Sequence, residues 1–262
     1  MVGLSSEQVD RFIADGFVKL DNAFPRETAD ACASIIWRGL GLSPDSNGPW
    51  PQPVMRLNSP PALPFREAAA SPRLAGALDQ LIGVGRWAMP GQLGAIVARF
   101  PSTEKPNDDG WHLDASFPPP DDPNSMDYFQ WRVNYLSHRR SMLLLFLFTD
   151  CGLDDAPTRV RVGSHLPMAR QLKRHGEAGI SLIDLAREGF ASSDACEVAL
   201  AMGEAGTVWL LHPFTVHAAQ AHHGTRPRFI AQPGLGFNAP LSLDRADGDY
   251  SPVEAAVRRA FA

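Results

Sequence analysis

The sequence predicts a mainly β fold with flanking helices. Helical periodicity is concentrated in the first third of the chain, about eight short strand patterns follow Gly94, and neither a linker nor a repeat divides the 262 residues. This length suits one barrel or sandwich domain with additions. We therefore expect one domain over 1–262, with a mainly helical buttress at 1–90, a β core at 91–240, and a C-terminal tail and helix at 241–262.

The first helix is predicted by a capping box, Ser5-x-x-Gln8, followed by apolar residues at helical spacing and by Gly16 as the stop. A short strand is expected at 17–20. Residues 40–64 are rich in Pro, Ser and Asn and predict a long loop. Further helices are expected at about 26–38 (ending at Gly39), at about 72–82, between about 167 and 188, and from Ser251-Pro252 onward.

The strand patterns lie in the second part of the chain. The longest apolar run, Met142–Phe148, is too short to cross a bilayer and suits a strand buried on both faces. Residues 158–162 alternate polar and apolar side chains, which indicates a half-buried strand. The other predicted strands are 95–100, 110–116, 132–136, 197–202, 206–212, 215–218 and 228–232.

The composition excludes several classes of function. The net charge of −5 gives no basic surface of the kind that binds nucleic acid. The N-terminal residues lack the pattern of a signal peptide, and the three cysteines are too few and too widely spaced for a disulfide framework or a zinc motif. We expect a cytoplasmic protein with a small-molecule substrate and without nucleic-acid or membrane partners.

One local motif carries chemistry. His112 and Asp114 are two residues apart on a predicted strand, so their side chains lie on the same face. Such a pair is common by chance, and an ordinary histidine beside a turn aspartate is the simpler interpretation of the pair alone. With a second histidine it would form the facial triad of non-haem Fe(II) oxygenases. The candidates for that histidine are His212, His217, His222 and His223.

Four segments together resemble the phytanoyl-CoA dioxygenase family of Fe(II)/2-oxoglutarate-dependent oxygenases, over about residues 4–235. One departure is Val162 before Gly163, where many members carry Pro; it affects a turn and no ligand. The resemblance implies a double-stranded β-helix core, of the jelly-roll or cupin-like kind. The segments are LSSEQVDRFIADGFVKLDNAF, RFPS with GWHLDASF, APTRVRVGSHLP, and GTVWLLHPFTVHAAQAHHGTRPRF.

The resemblance also implies the site. In the family's HPxxxH pattern the second histidine binds iron, and an arginine eleven residues later pairs with the distal carboxylate of 2-oxoglutarate; His217 and Arg228 fit that offset. Fe(II) is then held by His112, Asp114 and His217, with 2-oxoglutarate and O₂ as co-substrates. The implied reaction is hydroxylation of a C–H bond with release of succinate and CO₂. Related halogenases replace the carboxylate by Gly or Ala, so Asp114 favours oxidation over halogenation.

The remaining assignments follow from the same pattern. His212 becomes a structural residue, His222 and His223 are expected in a solvated turn, and Arg226 is the alternative to Arg228 for the carboxylate. The loops expected to bind substrate are 47–60 and 117–140, and the predicted substrate contacts in the second loop are Arg132 and Asn134. The neighbouring Arg139-Arg140 is better explained as a solvated strand start than as part of a cationic cluster for an anionic substrate.

Two other functions remain open at this stage. One is a cupin-type metalloenzyme that does not use 2-oxoglutarate. The other is a catalytically silent barrel that binds a ligand. The offset of Arg228 favours an oxygenase over the first, and the complete set of three ligands favours it over the second.

Overall fold

The computed structural model describes residues 3–46, 48–238 and 241–262. The first residue of the predicted 47–60 loop and the last residues of the predicted β core, 239–240, lie outside the described residues. None of the helices in the described ranges is both long and apolar enough to cross a membrane.

The described residues form seven α-helices and thirteen strands. The helices are α1 Ser6–Asp15, α2 Arg26–Leu40, α3 Leu63–Ala69, α4 Pro72–Ile82, α5 His165–Lys173, α6 Leu182–Glu188 and α7 Pro252–Phe261. The strands are β1 Phe17–Leu20, β2 Val54–Asn58, β3 Trp87–Ala88, β4 Ala95–Arg99, β5 Arg132–Val133, β6 Met142–Leu147, β7 Arg159–Arg161, β8 Ile180–Ser181, β9 Val198–Leu200, β10 Val208–Leu211, β11 His217–Ala218, β12 Arg228–Ala231 and β13 Gly234–Phe237.

The strands pair into a large and a small antiparallel sheet, and β5 and β8 form a separate two-stranded pair. The large sheet has the order β1-β10-β6-β12-β4-β2, and β13 and β3 extend it; the small sheet has the order β11-β7-β9. Every residue of β6 is buried, because helices cover one face of the large sheet and the small sheet faces the other. Leu143 and Leu145 of β6 belong to the same apolar cluster as Val160 of β7, which joins the two sheets.

The register of the large sheet decides which side chains face the site. Arg99 of β4 lies opposite Arg228 of β12 and opposite Val54 of β2. Residues directly opposite each other in a sheet point to the same face, and so do residues two positions apart on one strand. Arg56, Arg99 and Arg228 therefore point to one face, which is the inner face of the barrel. Phe229, next to Arg228 on β12, points to the opposite face and packs in the core beneath the helices.

The helix boundaries follow the caps. The capping box at Ser5 is present, and Gly16 ends α1 in a left-handed conformation (φ +81°), as predicted. The prediction that the second helix ends at Gly39 was wrong, because α2 continues to Leu40 and ends at Gly41. Only Gly41 has the positive φ that ends a helix here (+67°). Gly39 stays helical, and a Cβ on it would lie 2.8 Å from a methyl group of Leu57, so β2 packs against it.

One loop prediction and one strand prediction were also wrong. The predicted loop 40–64 contains β2 and the start of α3. Because prolines surround β2, its strand pattern is not evident from the sequence. It nevertheless pairs with β4 over five residues at the edge of the sheet. Residues 110–116 were predicted as a strand but contain one isolated bridge, from His112 to His217, and the next bridge joins Phe117, just beyond them, to Arg132.

A pair of buried histidines ties the helices to the barrel. His165, at the start of α5, contacts the Ile13 carbonyl through Nε2 at 3.1 Å, and its ring lies 5.1 Å from that of His212. Among the described residues, its Nδ1 has no hydrogen-bond partner. Burial lowers the pKa of His165 to about 4 from 6.5.

This shift predicts an acid-sensitive fold. Between the two pKa values the unfolded chain binds the proton more readily, so stability that is present above pH 6.5 is lost as the pH falls towards 4. We expect His165 to contribute a loss of about 2 kcal/mol of unfolding free energy between about pH 7.5 and about pH 5. Urea denaturation of the wild type and of His165→Gln at both pH values measures this loss. The variant should show a shallower dependence on pH, whereas exposed His223→Gln should match the wild type. Equal slopes for His165→Gln and the wild type would refute the assignment.

Candidate metal centre

Two histidines are held opposite each other by their own backbone. The amide of His112 donates to the carbonyl of His217 at 3.0 Å, and the amide of His217 donates to the carbonyl of His112 at 3.1 Å. Such a reciprocal pair places both side chains on one face of the ladder, and the two imidazole centroids are 4.3 Å apart. This backbone bridge joins the segment before the 117–140 loop to β11 and so brings the two histidines together.

Both rings present the same nitrogen to the site. His112 Nδ1 lies 2.9 Å from the Gly110 carbonyl, and His217 Nδ1 lies 3.1 Å from the Thr215 carbonyl. A carbonyl only accepts, so each Nδ1 carries the proton and each Nε2 keeps its lone pair. Burial, with a smaller contribution from His112, lowers the pKa of His217 to about 4. The neutral imidazole that a metal requires is therefore the stable form.

A carboxylate completes the group. Asp114 is two residues beyond His112, and its Oδ2 lies 2.8 Å from Nη1 of Arg140. Burial raises the pKa of Asp114, but Arg140 and the two histidines outweigh it, and the pKa stays below the usual value. The ligand atoms of His112, Asp114 and His217 all lie within 4.8 Å of one another. In the part of the chain that the structure describes, this is the one group of three potential metal ligands.

The three residues face a cavity of about 330 Å³ between the two sheets. Its wall carries one further carboxylate, Asp108, and four arginines, which are Arg56, Arg99, Arg140 and Arg228. Asp108 bonds to Nη2 of Arg99 through both oxygens, at 2.7 Å each, and also contacts Arg56. Two of the arginines, Arg99 and Arg228, are only 2% exposed. The cavity is thus strongly cationic, although the chain as a whole is acidic.

The structure separates the candidates from the distal segment. His217 and Arg228 line the cavity. Arg226 and His223 are exposed, and His222 is buried in the turn before Gly224. His212 lies outside the cavity and packs against Phe12, His165 and Phe214.

The predicted substrate contacts are not brought to this cavity. Arg132 donates to the carbonyls of Ala178 and Gly179 at 2.7 and 2.6 Å, and Asn134 donates to that of Glu177 at 2.7 Å. Asn134 lines a neighbouring cavity, formed mainly by residues 117–123 and 134–139. Both side chains hold the loop that precedes β8, away from His112, Asp114 and His217, and their substrate role stays a prediction.

Sequence reasoning missed several residues of the cavity wall. Arg56 lay in a loop that was expected to bind substrate but was not singled out, and Arg140 was interpreted as a solvated strand start. Arg99 offered a usable signal, since it is the charged residue in the apolar pattern AIVARF and shares its parity with Ala95 and Val97. Asp108, in an irregular loop, offered none.

One further arginine clamps the two segments that carry the histidines. Arg159 of β7 donates through Nη2 to the Asp109 carbonyl at 2.7 Å and to the Ala219 carbonyl at 2.8 Å. Its guanidinium also lies 4.8 Å from the centre of the Trp111 ring. Arg159 therefore links the residues just before His112 to those just after His217.

Comparison with known proteins gives one family. The family model described as phytanoyl-CoA dioxygenase (PhyH) matches residues 60–230. No curated protein sequence matches the chain.

Solved structures share the fold at low sequence identity. HygX from Streptomyces hygroscopicus, solved with nickel and 2-oxoglutarate, is 18% identical with a TM-score of 0.55, and the match covers 89% of this chain and 87% of HygX. SnoK, an α-ketoglutarate-dependent carbocyclase of nogalamycin biosynthesis, is 16% identical with a TM-score of 0.57 (90% and 85% covered). The epimerase SnoN of the same pathway is 16% identical with a TM-score of 0.59 (88% and 82% covered). The likeness confirms the predicted jelly-roll core with flanking helices.

The clamp by Arg159 predicts a loss of metal affinity without loss of a ligand. Arg159→Met removes the bonds to both carbonyls and leaves only the backbone bridge to hold the two histidines together. Outer-shell changes of this kind typically cost 10–100-fold in affinity, and we expect about tenfold here. Calorimetric titration with Mn(II) measures it, with the exposed Arg187→Met as the matched control. An unchanged dissociation constant in folded Arg159→Met would show that the bridge between His112 and His217 is sufficient alone.

Proposed function

The chain belongs to the phytanoyl-CoA dioxygenase family and is a non-haem Fe(II)- and 2-oxoglutarate-dependent oxygenase, and we propose that His112, Asp114 and His217 hold its iron. The observation that carries the assignment is the reciprocal backbone bridge that sets both histidines beside Asp114. The further proposal is that the enzyme hydroxylates an unactivated C–H bond of a small organic molecule.

The donor set fits iron. Two imidazole nitrogens and one carboxylate form the facial arrangement that Fe(II) oxygenases use, which leaves open positions for a co-substrate and O₂. In the neutral imidazole each Nε2 keeps its lone pair, because each Nδ1–H is bonded to a carbonyl. Asp114 is ionised, since its pKa lies below the usual value. Each ligand is thus already in its metal-binding form.

Bound iron, with O₂ and 2-oxoglutarate, supplies the oxidation of the substrate, with succinate and CO₂ as the products of 2-oxoglutarate. The chain supplies positions and charges. Arg140 holds the second carboxylate oxygen of Asp114, so that Asp114 offers its other oxygen to the metal. The presence of this carboxylate supports hydroxylation over halogenation.

Arg228 is the residue we assign to the distal carboxylate of 2-oxoglutarate. It lines the same cavity as the three ligands and is 2% exposed. Its guanidinium donates to the Ala156 carbonyl, and it forms no ion pair with any described residue. A planar guanidinium without a counterion matches a carboxylate in two bonds. The solved structures of HygX and SnoN with 2-oxoglutarate or α-ketoglutarate support this assignment of the co-substrate.

The substrate is proposed to enter between the two loops at the mouth of the cavity. Arg56 comes from the 47–60 loop region, and Tyr128 and Arg140 come from the 117–140 segment. Exposed apolar side chains, Met126 and Phe129, flank Tyr128. SnoN was solved with nogalamycin RO and HygX with hygromycin B, which supports a small-molecule substrate for this fold.

Anaerobic reconstitution tests the proposal. Fe(II) and 2-oxoglutarate added to the wild type should give a visible metal-to-ligand charge-transfer band. His217→Ala should abolish the band because it removes a ligand, and Arg228→Gln should require at least about tenfold more 2-oxoglutarate because one charge-assisted pair is lost.

His223→Ala is the matched control, because His223 is an exposed histidine of the same segment. It should retain the wild-type band. A wild type that binds Fe(II) but gives no band with 2-oxoglutarate would refute the assignment. So would a band that survives in His217→Ala.

A further inference from the structure

The cavity contains a second buried arginine that the proposed function does not use. Arg99 of β4 lies directly opposite Arg228 of β12, and both side chains point into the cavity. Like charges at opposite positions on paired strands destabilise a sheet, and buried charges do so more strongly. Two buried arginines side by side therefore need an explanation.

The negative charge within the cavity does not balance them. Asp114 is paired with Arg140, which leaves Asp108 as the carboxylate for Arg56, Arg99 and Arg228. Asp108 contacts the first two, and no carboxylate of a described residue lies within ion-pair distance of Arg228. A divalent metal adds two further positive charges beside them. The pair at β4 and β12 therefore has one carboxylate for two cations, and Arg99 shares that carboxylate with Arg56.

Hydrogen bonding shows the same deficit. Arg99 Nε and Arg228 Nε are both buried, and neither finds an acceptor among the described residues. Buried polar groups without partners are rare in folded proteins, and a bound ligand is one of the usual reasons. A carboxylate has two oxygens with several lone pairs and can accept from both guanidinium groups at once.

We propose that Arg99 is a second binding residue for the distal carboxylate of 2-oxoglutarate, and that Asp108 is its internal counterion and tunes the affinity. This inference rests on the proposed function. Asp108 holds Arg99 in place when the co-substrate is absent. The same carboxylate repels the incoming anion, so it lowers the affinity for 2-oxoglutarate. Arg228 and Arg99 together bind the distal carboxylate of 2-oxoglutarate. An oxo-acid that lacks this carboxylate binds to neither arginine.

Paired titrations test the inference. The Fe(II)-loaded protein is titrated anaerobically with 2-oxoglutarate and with 2-oxopentanoate, which has a methyl group in place of the distal carboxylate. The measured quantity is the ratio of the two dissociation constants from the charge-transfer band. Arg99→Gln should lower the preference for 2-oxoglutarate at least about tenfold and leave 2-oxopentanoate binding unchanged. Arg228→Gln is the reference for a residue that acts on the same group.

Asp108→Asn separates charge from structure. If Arg99 binds the co-substrate, this variant removes a competing anion, and 2-oxoglutarate binding should tighten about threefold with no change for 2-oxopentanoate. If Arg99 and Asp108 only fasten the loop before His112, both variants should weaken both oxo-acids equally, which would overturn the inference. Should Arg99→Gln fail to fold, Arg99→Lys, which keeps the charge, and Asp108→Asn decide by the same ratio. A wild type without a band contradicts the proposed function and overturns both assignments.

Discussion

The reciprocal hydrogen bonds between the backbones of His112 and His217 are the constraint on which the site depends. They join an irregular segment, held only by isolated bridges, to β11, which pairs with β7 over just two residues. The bridge fixes the faces of both imidazoles, and the carbonyls of Gly110 and Thr215 then fix their tautomers. Asp114 lies on the same side as His112 because it is two residues further along the chain. The three proposed iron ligands are thus positioned by local backbone geometry, and Arg159 and Arg140 hold that geometry from outside.

The large sheet supplies the second half of the cavity by a different principle. Its register sets arginines of neighbouring strands on one face, where a sheet that packs only against apolar groups would carry none. Helices cover the opposite face with an apolar core that includes Phe146 and Phe229. That core stabilises the strands, and their inner face can therefore carry buried charge whose full compensation requires a ligand.

The sequence was sufficient for features that depend on local pattern. The apolar run of β6, the capping box at Ser5 and the presence of β7 were predicted correctly, although Thr158 and Arg161 are buried and β7 is not the half-buried strand expected; the family resemblance pointed to His112, Asp114, His217 and Arg228. Features that depend on distant pairing were missed. β2 is an edge strand among prolines, and its partner β4 is about 40 residues away. Arg132 and Asn134 appear free in the sequence, but carbonyls more than 40 residues away occupy them.

The most direct test of the account is an anomalous-diffraction map at the iron edge, from crystals grown anaerobically with Fe(II) and 2-oxoglutarate. We expect one peak within bonding distance of Nε2 of His112, Nε2 of His217 and one oxygen of Asp114, with the distal carboxylate of 2-oxoglutarate at Arg228. A peak at another set of residues, or coordination through Nδ1 of either histidine, would contradict it.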